Sequence, residues 1–462
     1  MGDVTIHWFT SDLRLADNAA LAAGADTRVV AAVYVLDPIV LRRHASATRR
    51  LAFMASCLQA LDARLAENGS RLVVLEGDAA DELPRLAARL EARVVSHARN
   101  YEPGARERER RVATALEHAG VEVRAADAAF VHAPGTVAKE SGEPYRVFGA
   151  FARAWAMHPV ARRTAPPHTW IPAARLAGIG TACPTPGTEV LPAGEKAASA
   201  RLAQFLRSGL LAYEADRGCL AIDATSRLSH HLRWGTLSAA DAWRRAMGAG
   251  ARSPRLASAA QAWVRQLAWR DFFAHLLLAE PRLAREPMHP VGIRWRIDDD
   301  AFRRWQRGET GVPLIDAGMR ELAATGLMPN RARMVTASFL TRQLLLDWRD
   351  GERHFMTELL DGQMSQNDGN WQWVAGTGAD AQPFHRMFSP VRQGERFDPD
   401  GDYVRHWVPE LARVPARHVH EPWSMTPLER RALCPDYPPP VVDLDVARAR
   451  ALGAYEAARR RS

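Results

Sequence analysis

VTIHWFTSDLRLADN, residues 4–18, decides the fold. Its first six residues are an almost unbroken β-branched and aromatic run that breaks into a polar turn at Thr10. Such a run suits a strand covered on both faces, which is the condition of a parallel sheet. Four similar runs follow: RVVAAVYVL (28–36), RLVVLE (71–76), RVVSHA (93–98) and VEVR (121–124). Amphipathic segments separate them. In 48–66, Leu51, Met54, Leu58, Leu61 and Leu65 recur at intervals of three and four, which leaves Arg49, Arg50 and Arg64 for the outside. These alternations predict a doubly wound α/β domain over residues 1–135. The turn after its first strand is TSDLRLADN and not G-x-G-x-x-G, so the dinucleotide fingerprint of nicotinamide enzymes is absent.

Residues 136–200 are expected to connect domains, because from about 160 the chain is dense in Pro, Gly, Thr and Ala. Beyond 200 helical periods replace β runs. Of the 14 tryptophans, 11 lie there, which predicts a large all-α domain over 201–462.

With 462 residues, 47% of them hydrophobic, the chain can bury ample core, and a disulfide scaffold or a disordered tail protein is excluded. No stretch approaches the roughly 18 consecutive apolar residues of a membrane span, and MGDVTIHWFT has no export-signal pattern. A cytoplasmic protein is expected. Cys57, Cys183, Cys219 and Cys434 are dispersed without a C-x-x-C pair, which argues against structural zinc, although four thiols could still converge on an iron–sulfur cluster. No metal site is expected. The net charge of +8 suits a polyanionic partner. Only Lys139 and Lys196 are lysines, so the arginine bias is equally explained by genomic base composition.

Four stretches carry candidate chemistry. TSRLSHHLRWGTLS (225–238) sets Thr225, Ser226 and Ser229 before a helical stretch ending at Gly235, either a phosphate seat or an ordinary helix cap. In WVRQLAWRDFF (263–273), Trp263, Gln266 and Arg270 share one helix face. In 311–349, Pro329 marks a helix start after which Asn330, Arg333 and Met334 share a face. DGQMSQNDGNWQWVAGTGADAQPFHRMFSP (361–390) fits no regular strand and reads as a functional loop.

Together these blocks, with WFTSDLRLADNAAL at the start, YRVFGAFARAW at 145–155, RFDPDGDYVRHWVPEL at 396–411 and YPPPVVDLDVARARALGAYEAAR at 437–459, resemble the photolyase and cryptochrome family, most closely its microbial class I cyclobutane pyrimidine dimer photolyases. The resemblance covers nearly the whole chain. It implies an antenna domain followed by a helical domain holding FAD, active as FADH⁻, which donates an electron under light to a pyrimidine dimer flipped out of UV-damaged DNA. It also implies residue roles. Tyr213, Thr225, Ser226 and Leu228 match positions around the FAD phosphates and ribose. Trp263, Arg270, the pair Arg333 and Asp361, Gln363 at the ring edge and Asn367 facing flavin N5 match further cofactor contacts. Trp371, Trp348 and Trp295 match a chain of indoles that photoreduces the flavin. Gln266, Trp269, Asn330, Arg331, Met334 and Trp373 match the substrate cavity, with Arg386 and Arg396 on its DNA-facing rim. His44 and Glu107 match contacts to a folate antenna in folate-bearing relatives, with a deazaflavin or an empty pocket as the alternatives. A monomer without an obligate protein partner is implied.

The chain departs from the family pattern in several places. Gln266 replaces the Glu that contacts the dimer, so that position cannot supply a carboxyl proton. Gln363 replaces an Asp, removing a negative charge near the flavin, which raises its reduction potential. Leu327, Pro329, Asp368, Asn370 and His385 also differ, and Arg106 replaces the Asn beside Glu107. A cryptochrome-like photoreceptor, with the same flavin and indole chain but no repair, is the alternative. Retention of Trp269, Asn330, Arg331 and Trp373 favours repair.

Overall fold

The computed structural model describes residues 4–24, 29–167, 169–188, 191–380 and 387–460. Its expected strands form one five-stranded parallel sheet: β1 (Val4–Phe9), β2 (Val29–Leu36), β3 (Leu72–Glu76), β4 (Ala92–Ala98) and β5 (Glu122–Ala126), in the order β3-β2-β1-β4-β5. Every residue of β1 is buried, as its uninterrupted apolar run requires. Helices α1 (Thr48–Ala66), α2 (Ala79–Leu90) and α3 (Pro103–His118) alternate with the strands. The strand order reverses at β1, and the TSDLRLADN turn leaves its carboxyl end, where open α/β sheets place their functional loops.

That turn is a buried polar knot. Asp12 accepts from His7 Nε2 at 3.0 Å, from Thr10 N at 3.0 Å and from Asn18 Nδ2 at 2.9 Å. Burial opposes ionisation of Asp12, yet the hydrogen bonds and charge of His7, with help from Thr10 and Asn18, hold its pKa below the ordinary value. Arg14 is 2% exposed and donates to the carbonyls of Asp17, Gly235 and Ala128.

The chain divides into two compact units, and the division does not follow the expected boundaries at 135 and 200. The first comprises residues 1–211, 226–284 and 360–365; the second comprises 212–225, 285–359 and 366–462. The 136–200 segment is no mere connector. It contains α4 (Phe148–Met157), and Ile171 N and Thr181 N donate to the β2 and β3 carbonyls of Val30 and Val74 at 2.9 and 2.8 Å. Also in the first unit are α5 (Ser229–Trp234) and the 26-residue α6 (Pro254–Ala279). The carboxylate of Asp271 on α6 accepts from Trp155 Nε1 of α4 at 2.8 Å and from His132 N at 2.9 Å. A Pro- and Gly-rich composition therefore hides a segment held by scattered tertiary bonds.

Arg50 corrects a second expectation. It lies on α1 but is 4% exposed, its guanidinium 3.4 Å from His44 Nδ1, and burial pushes its pKa down to about 10. The fields of Glu102 and Asp361 offset part of that burial.

The second unit is helical. It carries α7 (Asn330–Ser338), with Pro329 just ahead as expected, and α8 (Trp348–Glu358). The 361–390 stretch, read as a loop, contains the helix α9 (Met364–Ala375). Asn, Asp and Gly weaken helical propensity there, but Asn367, Asp368, Trp371, Gln372, Val374 and Ala375 are buried, and packing overrides propensity. No described helix is long and apolar enough to cross a membrane, and the described residues hold no cluster of metal-ligating side chains; all four cysteines are free thiols.

Candidate functional site

In the second unit, three of the candidate side chains and Glu352 come from two helices at the same spacing. Trp348 and Glu352 stand at i and i+4 on α8, and Asn367 and Trp371 at i and i+4 on α9, so each pair shares a face. The faces meet. Asn367 Nδ2 donates to Glu352 Oε1 at 2.7 Å and to the Glu352 carbonyl at 2.9 Å. Close approach is possible because α8 carries Gly351 there: a methyl at that position would lie 2.7 Å from Trp371 Cζ3 and 2.5 Å from Leu340 Cδ2.

The three indoles run from core to surface. Trp371 is 2% and Trp348 3% exposed, whereas Trp295 is half-buried and packs against the apolar cluster containing both. Arg296, next to Trp295, donates from its backbone N to the Leu345 carbonyl and from Nη1 to that of Leu344, fixing this irregular segment beside the residues that lead into α8. A neighbour was missed by sequence reasoning. Trp305 is fully buried, with its ring centroid 6.2 Å from that of Trp371, and Phe355 stands at 5.0 Å. Only its place on the strongly amphipathic helix Asp299–Arg307 could have pointed to Trp305.

Two of the candidate arginines converge. Arg331 and Arg396 lie over the Phe397 ring at 4.1 and 5.1 Å. Arg331 Nη1 donates to Gln393 Oε1 at 3.2 Å, and its pKa is lowered by burial and then by the charges of Arg396 and Arg217. Like charges gathered on an aromatic face suit a phosphate. Arg217 was not singled out from the sequence. Asn330 is exposed, with Nδ2 3.4 Å from Met334 Sδ, and Trp373 is half-buried. Tyr213 is buried with Arg217 over its ring, Thr225 lies in a bend, and Arg333 Nε donates to the Met328 carbonyl at 2.8 Å. Arg386 and His385 lie outside the described residues.

The remaining candidates belong to the first unit, Asp361 and Gln363 among them. Trp269 is half-buried and stacks on Phe148 with centroids 3.5 Å apart and planes 9° apart; Arg265 covers Phe148 at 4.7 Å. Gln266, also half-buried, turns Nε2 back to the Ala262 carbonyl at 3.4 Å. Trp263 is buried against Phe205. Arg270 spends Nη1 and Nη2 on the carbonyls of Ala129 and Leu232, which ties α6 to the residue four from the start of α5. Ser226 accepts from Arg201 Nε through its carbonyl, and buried Leu228 leads into α5. α5 closes at Gly235, as expected, with φ +62°, and a side chain there would collide with the backbone of Ser11 and Asp12. Gln363 lines a polar cavity with Arg99, Asn100, Glu102 and Arg233. Glu107 faces outward on α3 and pairs with Arg110 at 2.6 Å, while the carboxylate whose field reaches His44 is Glu102.

Two buried histidines of α5 make the first unit acid-sensitive. Burial lowers His230 to about 4; burial and then the charge of His230 lower His231 to about 3. The folded state holds both neutral, so the stability they contribute is present above the unfolded value of roughly 6.5 and is lost as pH falls through 4 and then 3. His230→Phe should therefore shallow the decline of unfolding free energy between pH 6 and 5 by ~1.4 kcal/mol per pH unit. Urea melts at both pH values check this, and equal slopes for variant and parent contradict it.

A parallel α/β unit and a helical unit with two core indoles, a third nearer the surface and a helix-anchored asparagine suit a flavin photochemical protein. Comparison with known proteins gives the particular family. A family model described as DNA photolyase matches residues 5–169, and one described as the FAD binding domain of DNA photolyase matches 263–457. A deoxyribodipyrimidine photo-lyase of Streptomyces griseus is 43% identical over 458 residues, covering 97% of this chain and 98% of the relative. Among solved structures, a bacterial class III photolyase from Agrobacterium tumefaciens is 35% identical with a TM-score of 0.92, covering 100% of this chain and 98% of that one. A Synechocystis cryptochrome is 27% identical with a TM-score of 0.89, covering 98% and 99%. The chain belongs to the DNA photolyase family.

Proposed function

We propose that this chain repairs cyclobutane pyrimidine dimers in UV-damaged DNA under light, with FAD as its cofactor. The observation that carries the reading is the meeting of α8 and α9, which sets Asn367 against Glu352 and Trp371 against Gly351, with Trp371 in the apolar cluster shared by Trp348 and Trp295. Reduced FAD, when bound, supplies the light-ejected electron that opens the cyclobutane ring and takes it back, so no net redox change results. The residues fit that group. Asn367, 7% exposed, has both amide hydrogens engaged and offers a carbonyl oxygen, a partner for the N5 edge of a flavin.

In the second unit Tyr213, Thr225 and Arg333 contribute to FAD binding, and Trp371, Trp348 and Trp295 conduct electrons inward from the surface. Asn330, Met334 and Trp373 line the substrate cavity, and Arg331 and Arg396 neutralise phosphates of the DNA. In the first unit Ser226, Leu228, Trp263, Arg270, Asp361 and Gln363 hold the cofactor. Gln266 and Trp269 meet the dimer: the indole supplies an apolar plane for a flipped base, and the amide donates a neutral hydrogen bond in place of a carboxyl. Light harvesting by a folate or deazaflavin belongs to the α/β sheet, near His44, Arg50 and Glu102. The enzyme works as a monomer where the DNA lies, in the cytoplasm of a bacterial-type cell.

The reduced protein, illuminated with DNA carrying a single thymine cyclobutane dimer, should restore the ultraviolet absorbance of the bases and leave a (6-4) photoproduct control unchanged. Recovery with neither lesion would transfer the reading to a photoreceptor; recovery with the control alone would change the lesion class.

A further inference from the structure

Both hydrogens of the Asn367 side-chain amide go to one residue: Nδ2 donates to the carboxylate of Glu352 at 2.7 Å and to its carbonyl at 2.9 Å. An amide has only those two donor hydrogens, and its one oxygen cannot donate. Turning the group over would set Oδ1 against two acceptor oxygens, so its orientation follows from its partners. Oδ1 is the polar atom that remains, and among the described residues no hydrogen bond reaches it.

Left to itself, an asparagine would serve a flavin edge in either state, donating to a bare N5 or accepting from N5–H. We propose that Glu352 is a positioning residue that commits Asn367 to accept, so that the site favours flavin carrying a hydrogen on N5. The inference rests on the placement of Asn367 beside N5 proposed above. Two features support it. The 2.7 Å bond is charge-assisted, the stronger kind, and among the described residues no ion pair competes for the Glu352 carboxylate. The neighbouring Gly351 lets α8 approach Trp371 of α9, which keeps Glu352 within reach of Asn367. Glu352 is half-buried, so the acceptor charge is partly screened from solvent while it holds the amide.

The test is spectroelectrochemical titration of the flavin-loaded full chain as parent, Glu352→Gln, Asn367→Ala and the double variant. A glutamine accepts from Nδ2 more weakly and can itself donate to Oδ1, which releases Asn367 to present N–H to a bare N5. The reduced flavin should then be disfavoured about tenfold, a fall of about 59 mV on a one-electron potential. In the Asn367→Ala background the same substitution should produce no fall. Loss of the carboxylate charge alone acts oppositely, raising the potential in both backgrounds. A fall confined to chains that retain Asn367 supports the positioning role. A rise, an equal shift in both backgrounds, or no shift overturns it while leaving Asn367 at N5. If Asn367→Ala leaves the parent potential unmoved, the N5 placement fails and this proposal with it. Should Glu352→Gln fail to fold with flavin, Glu352→Asp, shorter by one methylene, is titrated with the same outcomes deciding.

Discussion

Gly351→Ala should destabilise the protein by ~2 kcal/mol, although alanine is the better helix former. The added methyl has no room. It would meet Leu340 Cδ2 at 2.5 Å and Trp371 Cζ3 at 2.7 Å, and the indole cannot swing away because Phe355 and Trp305 enclose it and only 2% of it is exposed. A close-packed interior answers such insertion by shifting whole elements. Here the elements are α8 and α9, so Trp371 and Trp348 move with respect to each other. Light-driven reduction of oxidised flavin should slow on the order of tenfold, since displacements near 1 Å change rates by such factors. Chemically reduced enzyme does not need the indole route proposed above and should lose less activity. The colliding ring atom belongs to the benzo ring of the indole, which Trp371→Phe removes. In that background Gly351→Ala should cost about 1 kcal/mol less, the remainder coming from the Leu340 contact, a coupling outside ordinary additivity. Equal costs in both backgrounds would exclude Trp371 as the cause.

The same helix pair shows what a sequence yields and what it withholds. The sheet was legible because parallel strands covered on both faces cannot hide their apolar runs, and each of the five strands falls within a residue or two of its run. α9 was not legible. MSQNDGNWQWVA has the composition of a loop, and only burial against its neighbours makes it a helix; Asn370 even turns Nδ2 back to the Gln366 carbonyl, a local bond that competes with helical structure. Arg50 defeated the amphipathic rule for a related reason: periodicity assigns a face, and it does not register the carboxylates of Glu102 and Asp361 waiting on the inner side. The unit boundaries escaped because 226–284 and 360–365 join the sheet unit across long sequence separations. Family resemblance pointed to Asn367 and the three indoles. It offered no sign of Glu352, whose importance lies in a contact 15 residues away in sequence, or of Gly351, which reads as one more glycine.

Arg14→Met should destabilise the first unit by roughly 3–5 kcal/mol and cost the enzyme much of its FAD. The TSDLRLADN turn owes its shape to that guanidinium. Nη1 donates to Gly235 O at 2.9 Å, while Nη2 donates to Asp17 O at 2.9 Å and to Ala128 O at 2.7 Å. One side chain thus binds its own turn, the residue that closes α5 and the segment leaving β5. Methionine preserves much of the volume but leaves three carbonyls without this donor, each costing about 1–3 kcal/mol if water cannot replace it. With FAD held as proposed above, the consequence reaches the cofactor through α5. Gly235 has no space for movement against Ser11 and Asp12, so releasing its carbonyl frees the helix whose approach carries Ser226 and Leu228. Arg14→Lys should fail nearly as badly, because a single ammonium cannot reproduce a planar fork aimed at three separated oxygens. Thermal unfolding with and without added FAD measures both effects: the variants should melt lower and gain less from FAD than the parent, as weakened binding requires. A lysine variant with parental melting and full flavin occupancy would show that charge alone suffices, and the fork argument would fall.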